Sequence, residues 1–186
     1  MKKITLFGDS IFNAYQNGCD TTVITDGLIK ALNCPVENLS ISGATTVEAM
    51  DRLNRIDPNS ELVILEFGTN DAASAWGIEL EKYQTNLEKI IASIGAERMI
   101  ITGLSYPDPN NEEINRYYGA KRIRQYNQAA KKAATSKNIP FVNLVAAFAN
   151  LKDISSYYLE DGQHLTDKGN QLLISILLKA IKEKLQ

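Results

Sequence analysis

Residues 61–67, Glu-Leu-Val-Ile-Leu-Glu-Phe, form an apolar run bounded by Pro58-Asn59-Ser60 on one side and Gly68 on the other. The run is continuous and does not alternate with polar residues, so the strand it predicts is covered on both faces. Residues 3–7, 36–41, 98–102 and 139–144 repeat the pattern, and the 3.6-residue period predicts helices over about 22–32, 47–54, 80–94, 116–136 and 166–185. Strand and helix therefore alternate along the chain. That alternation implies a parallel sheet of five strands with helices packed on both sides, an α/β architecture.

A chain of 186 residues suits one packed domain, 1–186, and is short for two. Its net charge of −2 gives no electrostatic case for a nucleic-acid partner. Lys131-Lys132 and the lysines of 179–184 read as solvated helix faces. No stretch approaches the roughly 20 apolar residues that cross a bilayer, and Met1-Lys2-Lys3-Ile4 lacks the apolar stretch of a secretion signal. Residence in the cytoplasm, without stable membrane insertion, is the resulting expectation. Two cysteines, Cys19 and Cys34, make no disulfide framework, and neither has the neighbours of a metal site. Oligomeric state is not specified by these features.

In an open parallel sheet the ligand site lies beyond the carboxyl ends of the strands. Residues with chemistry to offer fall there. Ser10 follows the first run in Gly8-Asp9-Ser10, and Gly43 follows the second. Gly68-Thr69-Asn70-Asp71 follows the third, Tyr106-Pro107-Asp108-Pro109 the fourth, and Asp161-Gly162-Gln163-His164 comes after a longer loop beyond the fifth. His164 is the only histidine, the side chain type whose unperturbed pKa lies in the physiological window. A serine hydroxyl is a poor nucleophile alone. It needs a base, and the base needs an orienting carboxylate. Asp161, three residues before His164, can share one turn of chain with it.

Each block has a plainer reading. Ser10 can cap a turn, Gly43 can be a turn glycine, Asn70-Asp71 can cap a helix, and Asp161-Gly162 is a common turn dipeptide. Gly8-Asp9-Ser10-Ile11-Phe12 lacks the second glycine of the nucleophile elbow, which disfavours the α/β-hydrolase fold. Taken together, the four blocks resemble the SGNH hydrolases, also called the GDSL esterase/lipase family. Gly8-Asp9-Ser10, Gly43, Gly68-x-Asn70-Asp71 and Asp161-x-x-His164 stand in its order, and the resemblance spans residues 4 to about 175. Residues 69–83 and 156–170 further resemble the branch that includes isoamyl-acetate-hydrolysing esterases.

The resemblance implies a flavodoxin-like three-layer α/β/α sandwich and a serine esterase. Ser10, His164 and Asp161 would be nucleophile, base and orienting carboxylate. The backbone N–H groups of Ser10 and Gly43 and the side-chain amide of Asn70 would form the oxyanion hole. A small-molecule ester is the implied partner, and no cofactor or metal is implied. Asp9 and Asp71 are assigned to loop architecture. Ile11-Phe12-Asn13-Ala14-Tyr15 departs from the small residues usual after the serine, so Phe12 and Tyr15 either narrow the acyl pocket or pack beneath it. The chain length offers no long apolar cap, which favours short acyl groups over the lysophospholipid, thioester and acetylated-sugar substrates of the same constellation. Residues 105–115, rich in Pro, Asn and Glu, read as a mobile loop over the site or as an ordinary surface connection. The competing class is a non-enzymatic nucleotide or phosphate binder. Neither a Walker pattern nor Gly-x-Gly-x-x-Gly is present to support it.

Overall fold

The computed structural model describes residues 3–186. Five parallel strands, β1 (Ile4–Phe7), β2 (Val36–Asn38), β3 (Leu62–Leu65), β4 (Met99–Thr102) and β5 (Phe141–Val142), lie in the order β2-β1-β3-β4-β5. Seven α-helices fill the intervals: α1 (Val23–Leu32), α2 (Thr46–Asp51), α3 (Leu80–Ile94), α4 (Glu112–Tyr117), α5 (Ala120–Ser136), α6 (Leu144–Ala149) and α7 (Asp167–Leu185).

The strands alternate sides as the pleat requires, and both sides are apolar. Leu62 and Ile64 join Ile4, Leu6 and Ile100 in a cluster with Ile24 and Leu28 of α1 and Leu173, Leu177 and Ile181 of α7. Val63 and Leu65 join Phe7, Met99 and Ile101 in a second cluster with Leu87 and Ile90 of α3 and Ile123 and Ala130 of α5. Three layers result. Leu62, Val63, Ile64 and Leu65 are all fully buried, each removed from water at a gain of roughly 1.5–3 kcal/mol.

The structure corrects three expected boundaries. The run 139–144 yields only a two-residue strand, because Asn143 turns from the sheet and caps α6, its Oδ1 accepting the Ala146 N–H at 3.2 Å. The expected helix 116–136 is broken by an extended Gly119 (φ −54°, ψ 132°) into the end of α4 and all of α5. Finally, the expected loop 105–115 is shorter, since residues from Glu112 onward are helical. It leads into α4, whose N-terminus Asn111 caps by accepting the N–H groups of Glu113 and Ile114, both at 3.1 Å.

Strand order reverses between β1 and β3, and the loops after these strands carry Ser10 and Asn70. Such a reversal opens a crevice at the carboxyl edge of the sheet. Past the end of β2, Leu39 N–H donates to the Leu6 carbonyl (2.9 Å) and Ile41 N–H to that of Gly8 (3.1 Å), so the second block is carried alongside the first. No helix among the described residues is long and apolar enough to cross a membrane.

Candidate active site

The chain leaves β1 through Gly8 and turns tightly: Asn13 N–H returns to the Asp9 carbonyl, and Tyr15 N–H to that of Ser10. Gly8 is required by crowding. A Cβ there would lie 2.7 Å from the Glu66 carbonyl oxygen and 3.0 Å from Glu66 Oε2. Ser10 is nearly buried, and its Oγ lies 2.9 Å from His164 Nε2.

His164 sits on a loop closed by its own backbone. Leu159 N–H donates to the His164 carbonyl at 2.8 Å, and Tyr158 bridges Leu165 just before Thr166 caps α7. Asp161 occupies the inside of this turn. Its Oδ1 accepts the N–H groups of Gln163 (2.8 Å) and His164 (2.9 Å), and its Oδ2 lies 2.7 Å from His164 Nδ1. Burial works against the charge on Asp161, but the His164 ring and these two N–H groups outweigh it and hold the carboxyl down at about 2. An ionised carboxylate only accepts, so Nδ1 carries the proton and Nε2 is left to accept from the Ser10 hydroxyl. Ser10, His164 and Asp161 thus form one continuous relay from hydroxyl to imidazole to carboxylate. Such a relay can take a proton from the hydroxyl as it attacks a carbonyl carbon.

The N–H groups of Ser10 and Gly43 donate to no acceptor among the described residues. Gly43 has φ +80°, a conformation that L side chains rarely adopt, and a Cβ there would meet nothing within 4 Å. Asn70 is placed differently. Its amide nitrogen donates to Asp9 Oδ2 at 2.9 Å and to the Ala44 carbonyl at 3.1 Å. Next to it Asp71 accepts from the Thr46 N–H (3.0 Å) and the Thr46 hydroxyl (2.5 Å), while Asn86 donates to that hydroxyl at 3.1 Å. The side chains of Asn70 and Asp71 therefore latch the Gly43 loop to the end of β3. Burial raises Asp71 to about 6 against the opposing pull of Thr46.

Phe12 and Tyr15 separate the two alternatives between them. Phe12 is fully buried in the core cluster of α1 and α7, whereas the Tyr15 ring lies against His164 with ring centroids 4.7 Å apart. The 105–115 segment is fastened to the histidine loop. Asp108 N–H donates to the Gly162 carbonyl (2.8 Å), Asn111 Nδ2 to the Glu160 carbonyl (2.9 Å), and the Tyr158 hydroxyl to the Tyr106 carbonyl.

Sequence reasoning missed Glu66, a fully buried carboxyl at the end of the third apolar run, whose Oε2 accepts the Asp9 N–H at 3.3 Å. A glutamate inside an otherwise unbroken apolar strand was the available signal. Among the described residues no three His, Cys, Asp or Glu side chains are grouped to hold a metal ion.

Known proteins share this arrangement of chain. The solved structure of a lipase/acylhydrolase from Enterococcus faecalis superposes with a TM-score of 0.91 at 28% identity, covering 99% of this chain and 97% of that one. The human isoamyl acetate-hydrolyzing esterase 1 homolog is 31% identical over 98% of this chain and 82% of its own length. A rice protein, GDSL esterase/lipase WDL1, is 24% identical over 96% of this chain and 76% of its own. Residues 6–172, from β1 into α7, match the family described as GDSL-like Lipase/Acylhydrolase. With the strand order, the four blocks and this match in agreement, the chain belongs to the GDSL-like lipase/acylhydrolase family and is a carboxylic ester hydrolase.

Proposed function

We propose that this enzyme hydrolyses small carboxylic esters with short acyl groups through an acyl-serine intermediate. The observation that carries the reading is the unbroken relay from Ser10 Oγ through His164 to Asp161, with contacts of 2.9 and 2.7 Å. In the first half-reaction Ser10 Oγ bonds to the ester carbonyl carbon as its proton passes to His164 Nε2. The tetrahedral oxyanion is held by the N–H groups of Ser10 and Gly43, and by the Asn70 amide once the proton it gives the Ala44 carbonyl turns to the oxyanion. Collapse breaks the ester C–O bond, and His164 returns the proton to the departing alcohol. Water then enters, gives its proton to His164 and attacks the acyl carbon. Release of the carboxylic acid restores the Ser10 hydroxyl. Asp161 keeps the proton on Nδ1 throughout and stabilises the imidazolium that forms twice per cycle.

Support for short acyl groups comes from the walls. Tyr15 covers one side of His164. The human relative's name, which cites isoamyl acetate, agrees in acyl size. The test is a stopped-flow trace of p-nitrophenyl acetate with wild type and Ser10→Ala side by side, followed by a chain-length series. A fast nitrophenol release that is lost in the variant, with rates falling beyond short acyl chains, is the expected result. Equal slow traces from both proteins would reject the acyl-serine route.

A further inference from the structure

Asp9 and Glu66 are both fully buried beneath the Ser10 turn, and no lysine or arginine forms an ion pair with either among the described residues. Their carboxyl groups lie within hydrogen-bonding reach of each other. Two unpaired anions so placed, out of water, would repel strongly, and like charges in one site are relieved by keeping a proton. The hydrogen bonds say which group keeps it. Asp9 Oδ1 accepts the Ile11 N–H at 2.9 Å and Oδ2 accepts the Asn70 amide at 2.9 Å, so both oxygens have donors suited to a charge. Glu66 receives only the long Asp9 N–H contact on Oε2, and its Oε1 is buried with no partner. An oxygen that no donor reaches is costly on a carboxylate, whereas in a neutral acid it can be the hydroxyl and donate, leaving Oε2 as the carbonyl that accepts the Asp9 N–H.

Electrostatics point the same way. Burial, and after it the charge on Asp9, pushes Glu66 well above the usual carboxylate range. Asp9 is also raised by burial, against the Ile11 N–H, the Glu66 side chain, the charge His164 can carry and the Asn70 amide. The other titratable groups around the pair are Asp71, on the same loop as Asn70, and the hydroxyls of Tyr83 on α3 and Tyr118. None of these supplies a positive charge to either carboxylate.

We propose that Glu66 is a positioning residue for ester hydrolysis: as a carboxylic acid it donates its proton to Asp9, and the single remaining negative charge holds the Asn70 amide and the Ile11 N–H on either side of Ser10. This inference rests on the roles given to Ser10 and Asn70 above. It goes beyond them by assigning a fixed proton to a group that never touches substrate. Asp9 is thereby more than loop architecture. Its charge acts on His164 through space, whereas Asp161 touches the ring.

Glutamine is the discriminating replacement, since its amide can donate to Asp9 as the acid does while its oxygen accepts the Asp9 N–H. Leucine fills similar space and donates nothing. The infrared difference spectrum of wild type minus Glu66→Gln at pH 7 should show the carbonyl stretch of a protonated carboxylic acid. On a short nitrophenyl ester Glu66→Gln should keep kcat within about threefold, whereas Glu66→Leu should lose about tenfold or more in kcat at nearly constant KM, with its acid limb displaced upward. Absence of the protonated-acid band, or a Glu66→Gln variant as impaired as Glu66→Leu, would overturn the proposal. Should Glu66→Leu fail to fold, the spectrum and the glutamine variant still decide. An inactive wild type would remove the esterase reading instead, leaving the band to decide the buried proton by itself.

Discussion

The Asn70 side-chain amide is tied to Asp9 Oδ2 at 2.9 Å, and its second proton to the Ala44 carbonyl at 3.1 Å. With both protons engaged, the amide can reach a developing oxyanion only by releasing the Ala44 carbonyl, while the bond to Asp9 keeps it oriented. Asn70→Ala should lower kcat by about 10²–10³-fold with a small effect on KM. Asn70→Asp should be no better, because a second carboxylate would face Asp9. Steady-state kinetics on a short-chain ester checks both. A kcat within a few-fold of wild type for Asn70→Ala would make Asn70 only a tie between the β2 and β3 loops.

Removal of Ser10 or His164 should abolish turnover while sparing the fold. Ser10→Ala costs one net hydrogen bond, about 1 kcal/mol, or about 2–4 °C in Tm at this chain length. Its kcat should nevertheless fall by at least about 10³-fold, as should that of His164→Ala. Asp161→Asn should fall less, by about 10²-fold, since the charge proposed for Asp9 still acts on the imidazole. Parallel measurement of kcat and Tm separates chemistry from unfolding. A large Tm loss in Ser10→Ala would mean that its hydroxyl supports the turn.

Acid should act on stability in two opposite directions. Asp71 titrates at about 6 in the folded chain, above its unfolded value, so the folded state binds more protons and stability rises as pH falls from about 6 toward 4. Asp161, held at about 2, contributes stability that is present above its unfolded pKa and lost as pH falls through about 2. Melting curves from pH 7.5 to 4 should show a Tm gain on mild acidification that is smaller in Asp71→Asn. Identical slopes in the two proteins would show that Asp71 does not titrate in that window.

Asn111 joins two loops. It caps α4 and donates to the Glu160 carbonyl, directly ahead of Asp161. Loss of the cap in Asn111→Ala should cost about 1 kcal/mol, and if the segment steadies the histidine loop, kcat should drop several-fold at little changed KM. A lowered Tm with unaltered kcat would confine the role of residues 105–115 to folding.

How much could be read from the chain depends on how local the cause is. The strands of Leu62–Leu65 and Met99–Thr102 were legible because burial on both faces leaves a continuous apolar run. Ser10, Asp161 and His164 were legible because each sits in a short block just past a strand or before a helix. The break at Gly119 was not, since the helical spacing runs through it, while in the structure Tyr118 is buried and Gly119 is extended. Nor was the retreat of β5 at Asn143, where a capping hydrogen bond outcompetes sheet pairing. Glu66 was concealed by its surroundings. Its meaning depends on Asp9, 57 residues away in sequence.

The Ser10–His164 contact spans 154 residues. The hydroxyl rides on the first strand and the imidazole just ahead of the last helix, so every intervening crossover must be in place before the two can meet. A chain that has formed its sheet but not yet docked α7 holds an inert serine. Hydrolytic competence is thus a signal of finished folding, and recovery of ester turnover during refolding should trail the return of helical and sheet signal rather than accompany it.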